Sequence, residues 1–262
     1  MYFHTHIPKT AGTFLNLVFR AIFGCQYYQA PDLKRFSKKA DACPGFQNCL
    51  RYNELVNSPL FSYQYQFVSS HFLLPTPEML MKFPNAHFIC AVRDPVSRLV
   101  SDYAHKCALR EQYVDFPQWV SKRCNLQTAM LSENLDITAI RELIVQRRIV
   151  IVRTEHVLDD LCRNFGFPPK TLNWIKTLRP KNVNIGAAYK DNAKNIVSKL
   201  SSAELDSIVG TDQKLISLIN DLSIRPVNKL NTPATDNFQI NILKAKFLSF
   251  LLRKLTSSAK VR

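Results

Sequence analysis

Four short, β-rich runs, each followed by a segment of helical character, restrict this chain to few folds. Tyr2 to Ile7 is the first run, and Phe14, Leu17, Val18, Ala21 and Ile22 then fall at helical spacing, with Gly24 placed to end the helix. Gln66 to Ser70 is the second run, followed by Thr76 as an N-cap and Pro77 at the first helical position. His87 to Val92 is the third, and Asp94-Pro95 starts a helix with Val96, Leu99, Val100, Tyr103 and Cys107 on one face. Ile149 to Val152 is the fourth, wholly β-branched, and Glu155 opens a helix that carries Val157, Leu158, Leu161 and Phe165 and closes at Gly166. A capping box, Ser201 to Glu204, marks a later helix. Strands alternating with helices predict an α/β chain with a central parallel sheet of about five strands, flanked by helices on both faces. Residues 25–65 show no clear period and read as loops and short helices, a natural place for acceptor-binding parts.

At 262 residues, 46% of them hydrophobic, the chain can build one large domain. Lys and Arg total 35 against 20 Asp and Glu, a formal charge of +15. Such a balance suits nucleotide phosphates, a polyanionic glycan, nucleic acid or an acidic membrane, and charge alone does not choose among them. No apolar stretch reaches the ~20 residues of a membrane span. The chain opens on a strand, with no leader-like segment, which predicts a cytoplasmic protein. The seven cysteines (Cys25, Cys43, Cys49, Cys90, Cys107, Cys124 and Cys162) form no C-x-x-C pair, so neither a structural zinc site nor a full disulfide framework is expected. Most read as small core residues, and Cys43 and Cys49 could pair in an oxidising compartment.

Two motifs carry chemistry. His6-Ile7-Pro8-Lys9-Thr10-Ala11-Gly12-Thr13 joins the first strand to the first helix. A helix N-terminus offers free N–H groups and partial positive charge, Gly12 permits close backbone approach, Thr10 and Thr13 add hydroxyl donors, and Lys9 adds a mobile cation. The same residues also read as a helix cap beside a solvated lysine. Lys9 precedes Gly12, so the order is wrong for the nucleotide-triphosphate P-loop. The second motif is Val92-Arg93-Asp94-Pro95-Val96-Ser97-Arg98-Leu99-Val100-Ser101-Asp102-Tyr103. Arg93 at a strand end can present a planar fork to a phosphate, and Ser101, about two helical turns on, can donate to the same group. The alternative is an Arg93–Asp94 ion pair with Asp94 as N-cap and Ser101 exposed.

Taken together, these stretches resemble the carbohydrate sulfotransferases that use 3′-phosphoadenosine-5′-phosphosulfate (PAPS), in particular the branch of the heparan sulfate 2-O- and 6-O-sulfotransferases. The first stretch is similar to that family's 5′-phosphosulfate loop, and the second to its 3′-phosphate element, with Arg93 and Ser101 at the family spacing. Asn125-Leu126-Gln127-Thr128-Ala129-Met130-Leu131 resembles a third segment, although Ala129 stands where the family has Arg. Val152-Arg153-Thr154-Glu155 resembles the stretch after the fourth strand, with Arg153 where a small residue is common. The resemblance implies a P-loop-like three-layer fold and PAPS as donor, with adenosine 3′,5′-bisphosphate as its product and no metal. It implies donor binding by Lys9, Thr10, Ala11, Gly12, Thr13, Arg93 and Ser101, with Lys9 also stabilising the leaving group. A catalytic base is implied near the end of the second strand, where His71 stands, and neutral imidazole can accept a hydroxyl proton near pH 7. The implied acceptor is a glycan, a glycolipid or another hydroxyl, and no nucleic-acid partner is expected. Two other classes compete: a phosphotransferase with an atypical loop, and a basic nucleic-acid-binding module.

His4 and His6 share a strand face without an evident third metal ligand, and His6 reads as support for the loop. His87 and His156 read as structural, and His105 as lining the cleft. Residues 1–237 are expected to form the catalytic domain. Residues 238–262 read as a basic amphipathic helix, with Ile240, Leu243, Phe247, Leu251 and Leu255 at helical spacing and six basic residues without an acid. Such a helix either packs into the core, forms a dimer contact or lies on a membrane surface.

Overall fold

A computed structural model of the chain describes residues 1–29, 65–71, 73–167, 169–177, 186–223 and 230. The readings of Cys43 and Cys49, of residues 30–64 and of the segment 238–262 lie outside them. In chain order the elements are β1 (Tyr2–Thr5), α1 (Gly12–Phe23), β2 (Tyr27–Gln29), β3 (Phe67–Ser70), α2 (Pro77–Lys82), β4 (His87–Val92), α3 (Pro95–Arg110), α4 (Phe116–Val120), α5 (Leu126–Ala129), α6 (Ile137–Val145), β5 (Ile149–Arg153), α7 (Val157–Phe165), α8 (Pro169–Thr177), α9 (Ala187–Ser198) and α10 (Ser202–Ser223). Glycine ends α1 at Gly24, and Gly166 closes α7 at φ 62°. Asp94 caps α3 by accepting the Ser97 N–H at 2.7 Å. Glu204 and Ser201 form the predicted capping box, the Ser201 N–H reaching the carboxylate at 2.7 Å.

The five strands lie in the order β2-β3-β1-β4-β5, and every pairing is parallel. Alternate strand residues feed two opposite cores. Phe3, Val68, Phe88, Cys90, Ile149 and Ile151 face a layer from α2, α5, α6 and α10, which contribute Met79, Leu126, Ile140 and Leu215. Tyr2, Phe67, Ile89, Val150 and Val152 face Leu15, Val18 and Phe19 of α1 and Leu161 and Phe165 of α7. This period-two division makes three layers, the P-loop-like α/β architecture that the alternation and the resemblance imply. A third cluster ties α3, α4, α9 and α10 together through Leu99, Tyr103, Trp119, Ala193 and Val209.

One strand corrects the reading of residues 25–65 as loops and short helices. Tyr27–Gln29 is β2, which among the described residues pairs only with β3, at the edge of their sheet. Three residues on an edge bury one face only, too short a run to show an alternation.

Candidate active site

Neighbouring strands β3, β1 and β4 end side by side, and each delivers candidate residues: His71 after β3, the 6–11 loop after β1, and Arg93 after β4. From β1 the chain goes on to β2 on one side of the sheet, and from β4 to β5 on the other. The crevice between the carboxyl ends of β1 and β4 is therefore a topological switch point, where open parallel sheets bind ligands.

Lys9 and Ala11 both take left-handed backbone conformations, at φ 66° and 62°. For residues with a Cβ this costs on the order of 1–2 kcal/mol each, a strain that clusters at ligand-binding turns. Turns of this kind gather successive N–H groups into a concavity suited to an anion. The hydroxyl of Thr10 is turned inward rather than toward a ligand: it is fully buried and donates to the Ile7 carbonyl at 2.9 Å, bracing the turn. Thr13 remains exposed in the first turn of α1. Ala11, at the N-cap, offers no side-chain cap, the first turn carries no acid, and the backbone ladder opens with the Leu15 N–H on the Ala11 carbonyl at 3.1 Å. The N–H groups ahead of Leu15 thus lack helical partners, the property that makes a helix start bind phosphate.

Gly12 serves a neighbour as well as the backbone. A Cβ there would collide with the His6 ring, so the missing side chain is the seat of that ring. On its other side His6 stacks on His71, ring centroids 4.1 Å apart and planes 18° apart, and His4 continues the stack 5.4 Å away. His4 is fully buried, and its Nδ1 lies 2.7 Å from Asn16 Oδ1 and 2.9 Å from Ser69 Oγ. Ser69 also donates to Asn16 Oδ1 at 2.6 Å, which fixes the proton of His4 on Nδ1. Burial first, and His71 after the opposing Asn16 hydrogen bond, bring His4 down to about 4. Burial, then His71, then His4 bring His6 down to about 2. Both rings stay neutral near pH 7, so His71 rests on a partner that does not compete for a proton. His4 and His6 belong to no group of three or more metal-type ligands among the described residues.

Across the crevice, Nε of Arg93 lies 3.9 Å from Glu155. The Arg93–Asp94 ion pair does not form, because Asp94 caps α3 instead. Lys9 is half-buried, and its ammonium is depressed by burial, raised by Asp102 and depressed again by Arg93. Lys9 and Arg93 follow the neighbouring strands β1 and β4 at the same edge of the sheet and act on each other electrostatically. Ser101 is half-buried on α3, and its hydroxyl makes no hydrogen bond to another described residue. Asp102 lies 3.6 Å from the fully buried guanidinium of Arg98.

Three contributions were not legible as site residues. Gln127 holds Arg93 by its backbone, accepting its N–H at 2.8 Å and donating to its carbonyl at 2.9 Å. Its only signal was the family-like segment at 125–131, which carried no role for it. Arg153 is occupied by Asp160, through Nε at 2.9 Å and Nη2 at 2.8 Å, and so closes the end of β5 rather than lining the crevice. Thr154 reaches across to the Val92 carbonyl at 2.9 Å, locking the end of β5 to the residue before Arg93.

A parallel three-layer α/β fold with a strained loop carrying Lys9 at its switch point places this chain among the α/β domains that bind ligands at the carboxyl ends of their strands. Residues 2–147, more than half of the chain, match the model of the sulfotransferase family, and the chain belongs to that family. A search of the curated proteins finds no match. Sulfuryl transfer is thereby the chemistry of this domain. No helix among the described residues is long and apolar enough to cross a membrane.

Proposed function

We propose that the protein transfers a sulfuryl group from PAPS to a hydroxyl of a glycan or glycolipid, in the manner of the heparan sulfate 2-O- and 6-O-sulfotransferases. The observation that carries this reading is that neighbouring strands β3, β1 and β4 deliver His71, the Lys9 loop with the start of α1, and Arg93 to one edge of the sheet. The residues present fit the donor: strained-turn and helix-start N–H groups with Lys9 for its 5′ end, and Arg93 with Ser101 for its 3′-phosphate. PAPS would supply the sulfuryl group and a good phosphate leaving group. His71 accepts the acceptor's hydroxyl proton, with its ring held flat against neutral His6. Lys9 and the N–H groups at Gly12 and Thr13 face the charge that develops at the leaving oxygen, and preorganised donors of this kind supply most of the acceleration. The basic balance of the chain favours an acidic acceptor. Segment 238–262, basic and amphipathic, would hold the enzyme at an anionic membrane surface where such acceptors are displayed.

The test is calorimetry with adenosine 3′,5′-bisphosphate and adenosine 5′-monophosphate. The bisphosphate should bind at least about tenfold more tightly, because a charge-assisted contact to Arg93 contributes roughly 1.5–3 kcal/mol. Arg93→Ala should remove that preference. Equal affinities in the intact protein would refute the donor assignment.

A further inference from the structure

Arg93 is the best-anchored cation of the crevice, and what anchors it comes from far along the chain. Both of its backbone polar groups are taken by one side chain: Gln127 Oε1 accepts its N–H at 2.8 Å and Nε2 donates to its carbonyl at 2.9 Å. A single amide filling both bonds fixes the plane and direction of the residue from which the guanidinium springs. Gln127 is itself 0% exposed, and α5, which carries it, is a single turn. Such a turn does not hold its own position, so its anchors matter.

Those anchors come from the middle of α10. The Asp212 carboxylate accepts the Gln127 N–H at 3.2 Å and the Thr128 N–H and hydroxyl at 2.8 Å each, capping α5 from outside. Asn125, left-handed at φ 47°, is set into the ladder of α10: its N–H donates to the Ile208 carbonyl at 2.7 Å, and its Oδ1 accepts from the N–H groups of Thr211 and Asp212 at 2.9 and 3.2 Å. Asp212 is 0% exposed and also acts electrostatically on buried Arg98, in the turn of α3 that follows Arg93. α10 lies wholly beyond residues 2–147.

We infer that Gln127 and Asp212 are positioning residues for donor recognition, Asp212 acting through Gln127 to aim Arg93. The inference rests on the reading of Arg93 as the group that meets the donor's 3′-phosphate. It assigns to α10 a part in nucleotide selectivity rather than in folding alone.

The experiment is a double-mutant cycle read by calorimetry on the full chain, with adenosine 3′,5′-bisphosphate and adenosine 5′-monophosphate. Gln127→Ala should weaken bisphosphate binding by about tenfold or more and monophosphate binding by less than about twofold, so that the preference collapses. In an Arg93→Ala background the same substitution should have no further effect on the bisphosphate, because residues acting as one unit are non-additive. Asp212→Asn, which keeps the shape but halves the carboxylate's acceptors, should shift the preference in the same direction by a smaller factor. It carries the test where Gln127→Ala does not fold. A preference retained in the variants, or equal losses for both nucleotides with additive effects, would overturn the inference and leave the reading of Arg93 intact. Absence of any preference in the intact protein would instead remove Arg93 as the 3′-phosphate contact and the inference with it.

Discussion

His71 is the residue whose role the geometry sharpens most. Its ring is stacked on His6 at 4.1 Å, and His6 in turn sits where a Cβ on Gly12 would be. His71 and the loop after β1 are therefore packed together through His6, the ring that Gly12 admits. An acceptor hydroxyl ionises far above pH 7, so its attack needs a proton acceptor at hand. His71→Ala is expected to fold, to bind adenosine 3′,5′-bisphosphate nearly as well as the intact protein, and to lose roughly 10²–10⁴-fold in sulfuryl transfer. Single-turnover transfer from PAPS alongside calorimetry checks this. Near-normal transfer would exclude His71 as the base and make His105 and Glu155, the latter 3.9 Å from Arg93, the next residues to test. The reading of Gly12 from sequence, close approach of backbone to phosphate, was incomplete in a definite way. A sequence shows that a side chain is missing but not which neighbouring ring occupies its space.

At the scale of elements, legibility followed length and burial. β4 and β5 are buried on both faces and appear as unbroken apolar runs, so their places were readable. β2, with three residues on one edge, was not. The helix starts at Thr76, Asp94 and Ser201 were readable because capping is local chemistry. Gln127 was not readable as the clamp on Arg93, because its two bonds cross 34 positions and depend on how a one-turn helix is set against α10. A similar long-range contact fixes the helix that carries Ser101 and Asp102. Gly186, at the start of α9, lies against the backbone of α3: a Cβ there would stand 3.0 Å from the carbonyl carbon of Ala104 and 3.1 Å from the His105 nitrogen. Its φ of −92° suits any residue, so the constraint is space, and the obstructing atoms are main chain that gives way only if α3 moves. Gly186→Ala is expected to cost about 1–3 kcal/mol in stability. Thermal unfolding checks the value, and an unchanged melting temperature would show that the two helices have room to part.

For the whole molecule, the buried end of the histidine stack couples stability to the pH at which the enzyme can work. His4 is fully enclosed beneath the crevice, bonded through Nδ1 to Asn16 and Ser69, and brought down to about 4 chiefly by burial. The unfolded chain would titrate this group near 6.5. Between about pH 6.5 and pH 4 the unfolded state therefore binds a proton that the folded state refuses. Stability rises with pH wherever the unfolded state holds more protons. The contribution of His4 is thus fully present above about pH 6.5 and is lost as pH falls toward 4. Each pH unit in that window removes about 1.4 kcal/mol, or about 2 kcal/mol by pH 5. His6, brought lower still, adds a loss of the same sign. Acidification accordingly loosens the fold around the loop that follows β1. Denaturant unfolding at pH 7 and pH 5 should show a drop in stability for the intact protein. In His4→Asn, which keeps a polar group near Asn16 and Ser69 but does not titrate, the drop should be smaller by about 2 kcal/mol. The same drop in both proteins would mean that His4 takes up a proton without cost in the fold, and that the acid sensitivity lies in groups outside the stack.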